Sequence, residues 1–187
     1  MEMRLEVTNE SGDAGNQHGW EVISVKAKDV MITDVYVAKK ENTVEDVLRK
    51  FADYRIGGMP IVDNDSRVVG YISDGDIMRF LGKRLGHTQA FLTLTAEYVF
   101  YVEPDASRQA ERDELRQNFL EVCKLSVLEV GVKRAVCVQD DEDLQDVARI
   151  LGQKKFKKVP VLRGQQLVGI ISRGDVIRTA VRRFLSH

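Results

Sequence analysis

The stretch Val69-Gly70-Tyr71-Ile72-Ser73-Asp74-Gly75-Asp76-Ile77-Met78-Arg79 returns later in the chain as Val168-Gly169-Ile170-Ile171-Ser172-Arg173-Gly174-Asp175-Val176-Ile177-Arg178. Upstream of it, Val44–Pro60 matches Leu144–Pro160 at a constant offset of 100 residues, sharing Asp46/Asp146, Val47/Val147, Arg49/Arg149 and Pro60/Pro160. One residue is deleted from the second copy between the two matches. Such a duplication implies one small module folded twice about a pseudo-twofold axis, so a site in one copy has a counterpart in the other.

In the first copy Val35-Tyr36-Val37 is a short β-rich run, and Thr43 is suited to cap a helix. The apolar residues of that helix, Val44, Val47, Leu48 and Phe51, recur at i, i+3, i+4 and i+7 and so define one buried face. Gly57-Gly58 is expected to end the helix. Met59–Val62 then reads as a strand, Asp63-Asn64-Asp65-Ser66 as a hairpin turn and Val68–Ile72 as the return strand, with a second helix opening at Ser73. The second copy repeats the order. It has a strand at Ala135–Val138, a helix carrying Leu144, Val147, Ala148 and Leu151, strands Val159–Leu162 and Leu167–Ile171 around the turn Arg163-Gly164-Gln165, and a helix from Ser172.

The fold class is therefore α/β in content with an α+β layout, each repeat running β-α-β-β-α. A unit of roughly 55 to 60 residues buries too little surface to stand comfortably alone, so the repeats are expected to pack sheet to sheet. The expected division is a polar, Gly-rich and flexible segment at 1–22, repeat 1 at 23–82, an insertion at 83–126 and repeat 2 at 127–187. A structureless insertion of that length is improbable in a compact protein. Leu115, Phe119, Val122 and Cys123 follow a helical stripe inside it, suited to core or dimer contact, and Phe91–Val102 is rich in Thr, Tyr, Phe and Val.

Composition narrows the function. With 187 residues, 43% hydrophobic and 30% charged, the chain has the make-up of a soluble globular protein. Its 28 basic and 29 acidic residues leave a net charge of −1, which supplies no pull toward nucleic acid or an anionic membrane. Neither a signal peptide nor a membrane span is legible, and Cys123 and Cys137 lie in apolar contexts suited to reduced thiols, so a cytoplasmic location is expected. His18, His87 and His187 are scattered, which argues against a metal site or a His-dependent triad.

Chemistry concentrates in Gly70-x-x-Ser73-x-x-Asp76 and Gly169-x-x-Ser172-x-x-Asp175, each at a strand-to-helix junction. Ser-x-x-Asp before an apolar helix is a capping pattern, the acid favouring the helix dipole. The same parts also suit a nucleotide: glycine allows close backbone approach, free helix amides attract phosphate, and an aspartate accepts both hydroxyls of a ribose. Both readings use the same side chains at the same positions, and duplication alone does not separate them.

Lys28-Asp29-Val30-Met31-Ile32-Thr33, Thr43-Val44-x-Asp46-Val47-Leu48, Gly58-Met59-Pro60-Ile61-Val62-Asp63 and Val69 to Ile77 together resemble a cystathionine-beta-synthase (CBS) domain. The second copy resembles the same family from about Val127 to Phe184, more weakly at its start. The resemblance implies a CBS pair, or Bateman module, with adenosine-containing ligands in clefts between the repeats. Carried over by position, Asp76 and Ser73 would hold ribose and phosphate in one site, and Asp175 and Ser172 in the other. Ile56, Gly58, Met59 and Pro60, and correspondingly Phe156, Lys158, Val159 and Pro160, would line the base pockets, and Thr33 matches a frequent threonine before the first strand.

The copies differ in charge: Thr33 is matched by Lys133, Gly57-Gly58 by Lys157-Lys158, and Asp74 by Arg173. Residues 28–81 carry 8 basic and 10 acidic side chains, and residues 128–187 carry 12 and 7. Phosphate is thus expected to prefer the second copy. Helix-end cations account for part of the lysine run, but Arg173 opens a helix, where a cation is disfavoured unless an anion visits. The function expected is a non-enzymatic nucleotide-sensing module taking AMP, ADP or ATP, with S-adenosylmethionine, NAD or a cyclic dinucleotide open. It would form a homodimer and act on an effector protein outside this chain, with Asp175 as the principal ribose anchor. The rival is a dimerisation or interaction scaffold in which only the capping role survives. An enzyme has little support, since no Walker sequence, no Gly-x-Gly-x-x-Gly and no activated nucleophile are present.

Overall fold

Pro60 and Pro160 decide how far the first strand of each repeat can run. In the computed structural model, which describes residues 24–84, 109–153 and 156–185, β1 (Ala38–Lys39) pairs in parallel with β2 (Gly58–Val62), Ala38 lying opposite Ile61. One step earlier Val37 comes opposite Pro60, which has no N–H to give. The Val37 carbonyl accepts instead from the Lys50 ammonium at 2.8 Å. The strands expected at 35–37 and 135–138 are therefore corrected to two-residue pairings, since β4 (Val138–Gln139) meets the same limit one step before its Val138–Val161 pair.

Helix α1 (Val44–Tyr54) starts as expected: the Thr43 hydroxyl accepts from Asp46 N–H at 3.3 Å, and the Asp46 carboxylate accepts from Thr43 N–H at 2.9 Å. It ends three residues before the glycines, at Tyr54, with Arg55 as its cap at a left-handed φ of 52°. Gly57 and Gly58 instead make room for neighbours. A Cβ on Gly57 would lie 2.8 Å from the Asp74 carboxylate, and one on Gly58 3.0 Å from the Tyr71 ring.

Strand β3 (Val68–Ser73) returns antiparallel to β2, with Met59 opposite Ile72 and Pro60 opposite Tyr71, and leads into α2 (Asp74–Arg84). The insertion contributes α3 (Gln109–Cys123), whose Val122 and Phe119 pack on the first core, and the short α4 (Val127–Val130) follows it. The strip Phe91–Val102 and the N-terminal segment to residue 22 lie outside the described residues. The second repeat continues as β4, α5 (Leu144–Gly152), β5 (Lys158–Arg163), β6 (Gln166–Ser172) and α6 (Arg173–Phe184). Each repeat thus runs β-α-β-β-α around a three-stranded sheet, and a bulge falls at the matched steps Ile61/Val62 and Val161/Leu162.

Each repeat completes its core with a segment that leads into the other. Ala27, fully buried, and Met31 belong to the core built by Val147, Leu151, Val159, Val161 and Ile171 of the second repeat. Val127 and Val130 belong to the core of the first, with Val44, Met59, Ile61 and Ile72. Backbone bonds fix the exchange: Ala27 N–H to Glu142 O and Leu144 N–H to Val25 O on one side, Val44 N–H to Leu125 O and Val127 N–H to Asn42 O on the other, all 2.8–3.1 Å. Each fully buried valine or isoleucine so placed contributes roughly 1.5–3 kcal/mol, enough to make neither repeat independent of its partner's lead-in.

The outer faces of the sheets meet. Leu167 N–H donates to Ser66 O at 3.0 Å, Arg67 bridges to Gln166, and Val62 shares a cleft with Leu167 and Val168.

Candidate functional site

Asp76 and Asp175 are the two buried charged side chains among the described residues, 7% and 6% exposed. Both sit at helix mouths, as the duplicated pattern predicts. The Asp175 Oδ2 accepts from the Ser172 N–H at 2.7 Å and from its hydroxyl at 2.6 Å, while the Asp175 N–H donates back to Ser172 Oγ at 3.3 Å. Asp76 repeats this with Ser73 at 2.9, 2.5 and 3.3 Å. The capping reading is therefore realised in full at both positions.

The other carboxylate oxygen carries an arginine in each repeat: Arg79 on Asp76 Oδ1 and Arg178 on Asp175 Oδ1. The spacing Asp-x-x-Arg places each guanidinium one helical turn on, and it was present in both copies of the repeated string. These arginines are 68% and 62% exposed, so they hold the buried acids from the solvent side and can be displaced. A carboxylate offers about four acceptor positions, of which three are used here. Burial pushes the Asp175 carboxyl up, but the Ser172 hydroxyl and amide and the Arg178 guanidinium outweigh it and hold the acid below its ordinary range.

The candidate base-lining residues divide by strand alternation. Met59 and Val159 are fully buried, their side chains belonging to their repeats' cores. Gly58 and Pro60 share the opposite face with Ser73 and Tyr71, and Lys158 and Pro160 share it with Ser172 and Ile170. Ile56 packs at the edge of the first core, and Phe156 and Lys158 are half-buried.

Arg173 requires a correction. Its Nε donates to the carbonyls of Leu151 and Phe156 at 2.9 and 3.0 Å, and its Nη2 to Gln153 O at 3.0 Å. The guanidinium caps the C-terminal end of α5, where a cation is favoured, so no anion is needed to explain it.

Thr33 and Lys133 lie on the exchanged segments. Ile32 pairs with Ile170 and Val132 with Tyr71, which sets Thr33 against the second repeat and Lys133 against the first. A net charge counted per repeat in sequence therefore misassigns these residues. Of the candidate residues, Thr33 lines an inter-repeat cleft of about 190 Å³ together with Val35, Val37, Lys39, Val62, Ser66, Leu167 and Val168. Neither Asp76 nor Asp175 lines that cleft.

Sequence reasoning passed over Tyr71. Its ring covers Gly58, burial and the nearby Asp74 and Asp76 push its phenol pKa upward, and its hydroxyl makes no hydrogen bond among the described residues. Among those residues no cluster of His, Cys, Asp and Glu is arranged to hold a metal, and no helix is long and apolar enough to cross a membrane.

Known proteins share this architecture. The chain is 29% identical over 157 residues to the CBS domain-containing protein CBSX1, chloroplastic, of Arabidopsis thaliana, a match covering 80% of this chain and 60% of that protein. The crystal structure of CBSX2 in complex with AMP superposes with a TM-score of 0.59 at 24% identity, covering 84% of this chain and 97% of the other. The CBS domain pair of protein MJ0100, in complex with 5′-methylthioadenosine and S-adenosyl-L-methionine, gives 0.56 at 16% identity, covering 86% and 98%. The CBS domain model itself matches residues 27–83 and 127–182. With both copies matched across more than half its length, the chain belongs to the CBS-domain family as a tandem pair.

Proposed function

We propose that this CBS pair is a non-catalytic, cytoplasmic nucleotide sensor, with repeats at 23–82 and 127–187 and the insertion at 83–126 between them. It binds AMP, ADP, ATP or a related adenosine derivative at Ser73/Asp76 and Ser172/Asp175. The observation that carries this reading is the pair of buried carboxylates at helix mouths, each with a spare acceptor position and an exposed arginine as its outermost partner. A ribose diol arriving at Asp175 replaces Arg178 with two hydroxyl donors, and the freed guanidinium is then available to the ligand's phosphate. The AMP bound by CBSX2 and the adenosine derivatives bound by MJ0100 support the same ligand class here.

The module also forms a homodimer in this reading. On α6, Ile177, Val181, Phe184 and Leu185 are 63%, 46%, 72% and 72% exposed, at i, i+4, i+7 and i+8, on the side away from buried Asp175. A stripe of that size on the solvent side of a helix calls for a partner.

A thermal-shift panel of AMP, ADP, ATP, NAD, S-adenosylmethionine and cyclic dinucleotides tests the sensor. A ligand at 100 times its Kd stabilises by about 2.7 kcal/mol, and Asp175→Ala is expected to abolish most of the shift given by AMP, ADP or ATP. The complete capping boxes favour one rival, a scaffold whose serines and aspartates serve the helices alone. It predicts no shift with any nucleotide.

A further inference from the structure

The two helix mouths share the serine, the aspartate and its arginine but differ at four positions around them. At the first, Gly57 and Gly58 leave bare backbone, but the space is taken: a Cβ on Gly57 would meet the Asp74 carboxylate at 2.8 Å, and one on Gly58 the Tyr71 ring and hydroxyl at 3.0 Å. Asp74 and Asp76 thus stand at one mouth, with Arg79 on Asp76. At the second mouth the same positions are Lys157, Lys158, Ile170 and Arg173, with Asp175 paired to Arg178. Arg173 is committed to the carbonyls at the end of α5, which leaves Lys157 and Lys158 as the cations this mouth has and the first lacks. The exchanged segments do not cancel this contrast. Thr33 faces the inter-repeat cleft, which Asp175 does not line, and Lys133, next to the Val132 that pairs with Tyr71, adds one cation on the first side against Lys157 and Lys158 on the second.

We infer that the two sites take adenosine ligands of opposite charge. The first accepts an adenosine whose 5′ substituent is neutral or cationic, and the second accepts a 5′-phosphorylated one. This rests on the nucleotide-sensor reading and specifies it. A phosphate at the first mouth would meet the Asp74 carboxylate at close range, which is repulsive, whereas a cation there gains that carboxylate. The Tyr71 hydroxyl, neutral because its surroundings disfavour the phenolate, is a free donor for a ligand oxygen. At the second mouth Lys157 and Lys158 offer phosphate its counter-charge, and Ile170 offers no polar group.

Isothermal titration of the full chain with adenosine, S-adenosylmethionine and AMP tests this. On the wild-type protein, saturating S-adenosylmethionine is expected to leave AMP affinity unchanged, each ligand binding with a stoichiometry of one. With Asp175→Ala, S-adenosylmethionine should bind at least tenfold tighter than AMP, and with Asp76→Ala the order should reverse. Placing the second mouth's residues in the first, Tyr71→Ile with Asp74→Arg, should raise AMP stoichiometry from one to two. Competition between the two ligands on the wild type, an identical order in both aspartate variants, or loss of all binding in Asp175→Ala overturns the inference and leaves the sensor reading intact. If none of the three ligands binds the wild-type chain, the sensor reading fails and the inference falls with it. The competition measurement needs no variant, so it decides the matter even if an aspartate substitution unfolds a repeat.

Discussion

Val132 and Tyr71 exchange two backbone hydrogen bonds, 2.8 and 2.9 Å long, joining the lead-in of the second repeat to edge strand β3 of the first. Ile32 and Ile170 make the reciprocal pair at 3.0 Å each way. The pseudo-twofold is thus an exchange of segments as well as a packing of sheets, and it ties each repeat's stability to residues on the other side of the chain.

Ala27→Glu should therefore unfold the repeat it does not belong to. Ala27 is fully exposed to the second core and to no solvent, so an unpaired charge there costs about 3 kcal/mol or more. Hydrogen exchange is expected to show protection lost first in β5, β6 and α5, with α1 and β2 less affected. Val127→Asp should give the mirror image.

Two glycines test how the exchanged segments fit. A Cβ on Gly131 would lie 2.8 Å from Tyr71 O and 2.9 Å from Val127 O, backbone atoms that cannot turn aside. On Gly169 it would meet Met31, at 2.5 Å from Sδ and 2.9 Å from Cβ, and no rotamer change moves that Cβ. Gly131→Ala and Gly169→Ala are each expected to cost about 1–3 kcal/mol in urea unfolding.

Acid should expose the Asp175 cap. A carboxyl held below its ordinary range stabilises the fold fully above the unfolded-state value of about 3.9, and that contribution fades as pH falls through the lower folded-state value. Asp175→Asn has no such titration. The melting-temperature difference between wild type and Asp175→Asn should be largest near neutral pH and should shrink below about pH 4.

Arg173→Ala separates structure from ligand. Losing its bonds to Leu151, Gln153 and Phe156 should lower stability by about 1 kcal/mol, a modest figure because the site is largely exposed. Nucleotide affinity, measured at saturating temperature margins below the melting point, should change less than threefold. A tenfold loss would return Arg173 to the binding site.

The α6 stripe predicts its own disruption. Phe184→Glu with Ile177→Glu should convert a dimer to a monomer in light scattering after gel filtration, with melting temperature nearly unchanged because both residues face solvent within the protomer. A wild-type monomer would remove the dimer from the proposed function.

Much of this was legible in the residues. Helix α1 was written in the spacing of Val44, Val47, Leu48 and Phe51 and in the Thr43–Asp46 box. The caps made by Asp76 and Asp175 were legible in the Ser-x-x-Asp pattern at two strand-to-helix junctions, and their burial came only with the structure. The Asp-x-x-Arg spacing stood in the same strings but was passed over. Where the strands ended was misread, because Pro60 and Pro160 act on the neighbouring strand and not on their own sequence neighbours.

By itself the sequence determined what depends on near neighbours along the chain: two copies, their element order, their helix caps and the duplicated acid at each helix mouth. Only the tertiary structure decided which repeat each lead-in completes, that Arg173 answers to the end of α5, and that Tyr71 and Asp74 fill the space above two glycines. The physical reason is that backbone hydrogen bonding and helix capping act over three or four residues. The partner of a buried side chain or a charge is instead set by which surface folding brings against it, whether near in sequence, as Leu151 is to Arg173, or far, as Glu142 is to Ala27.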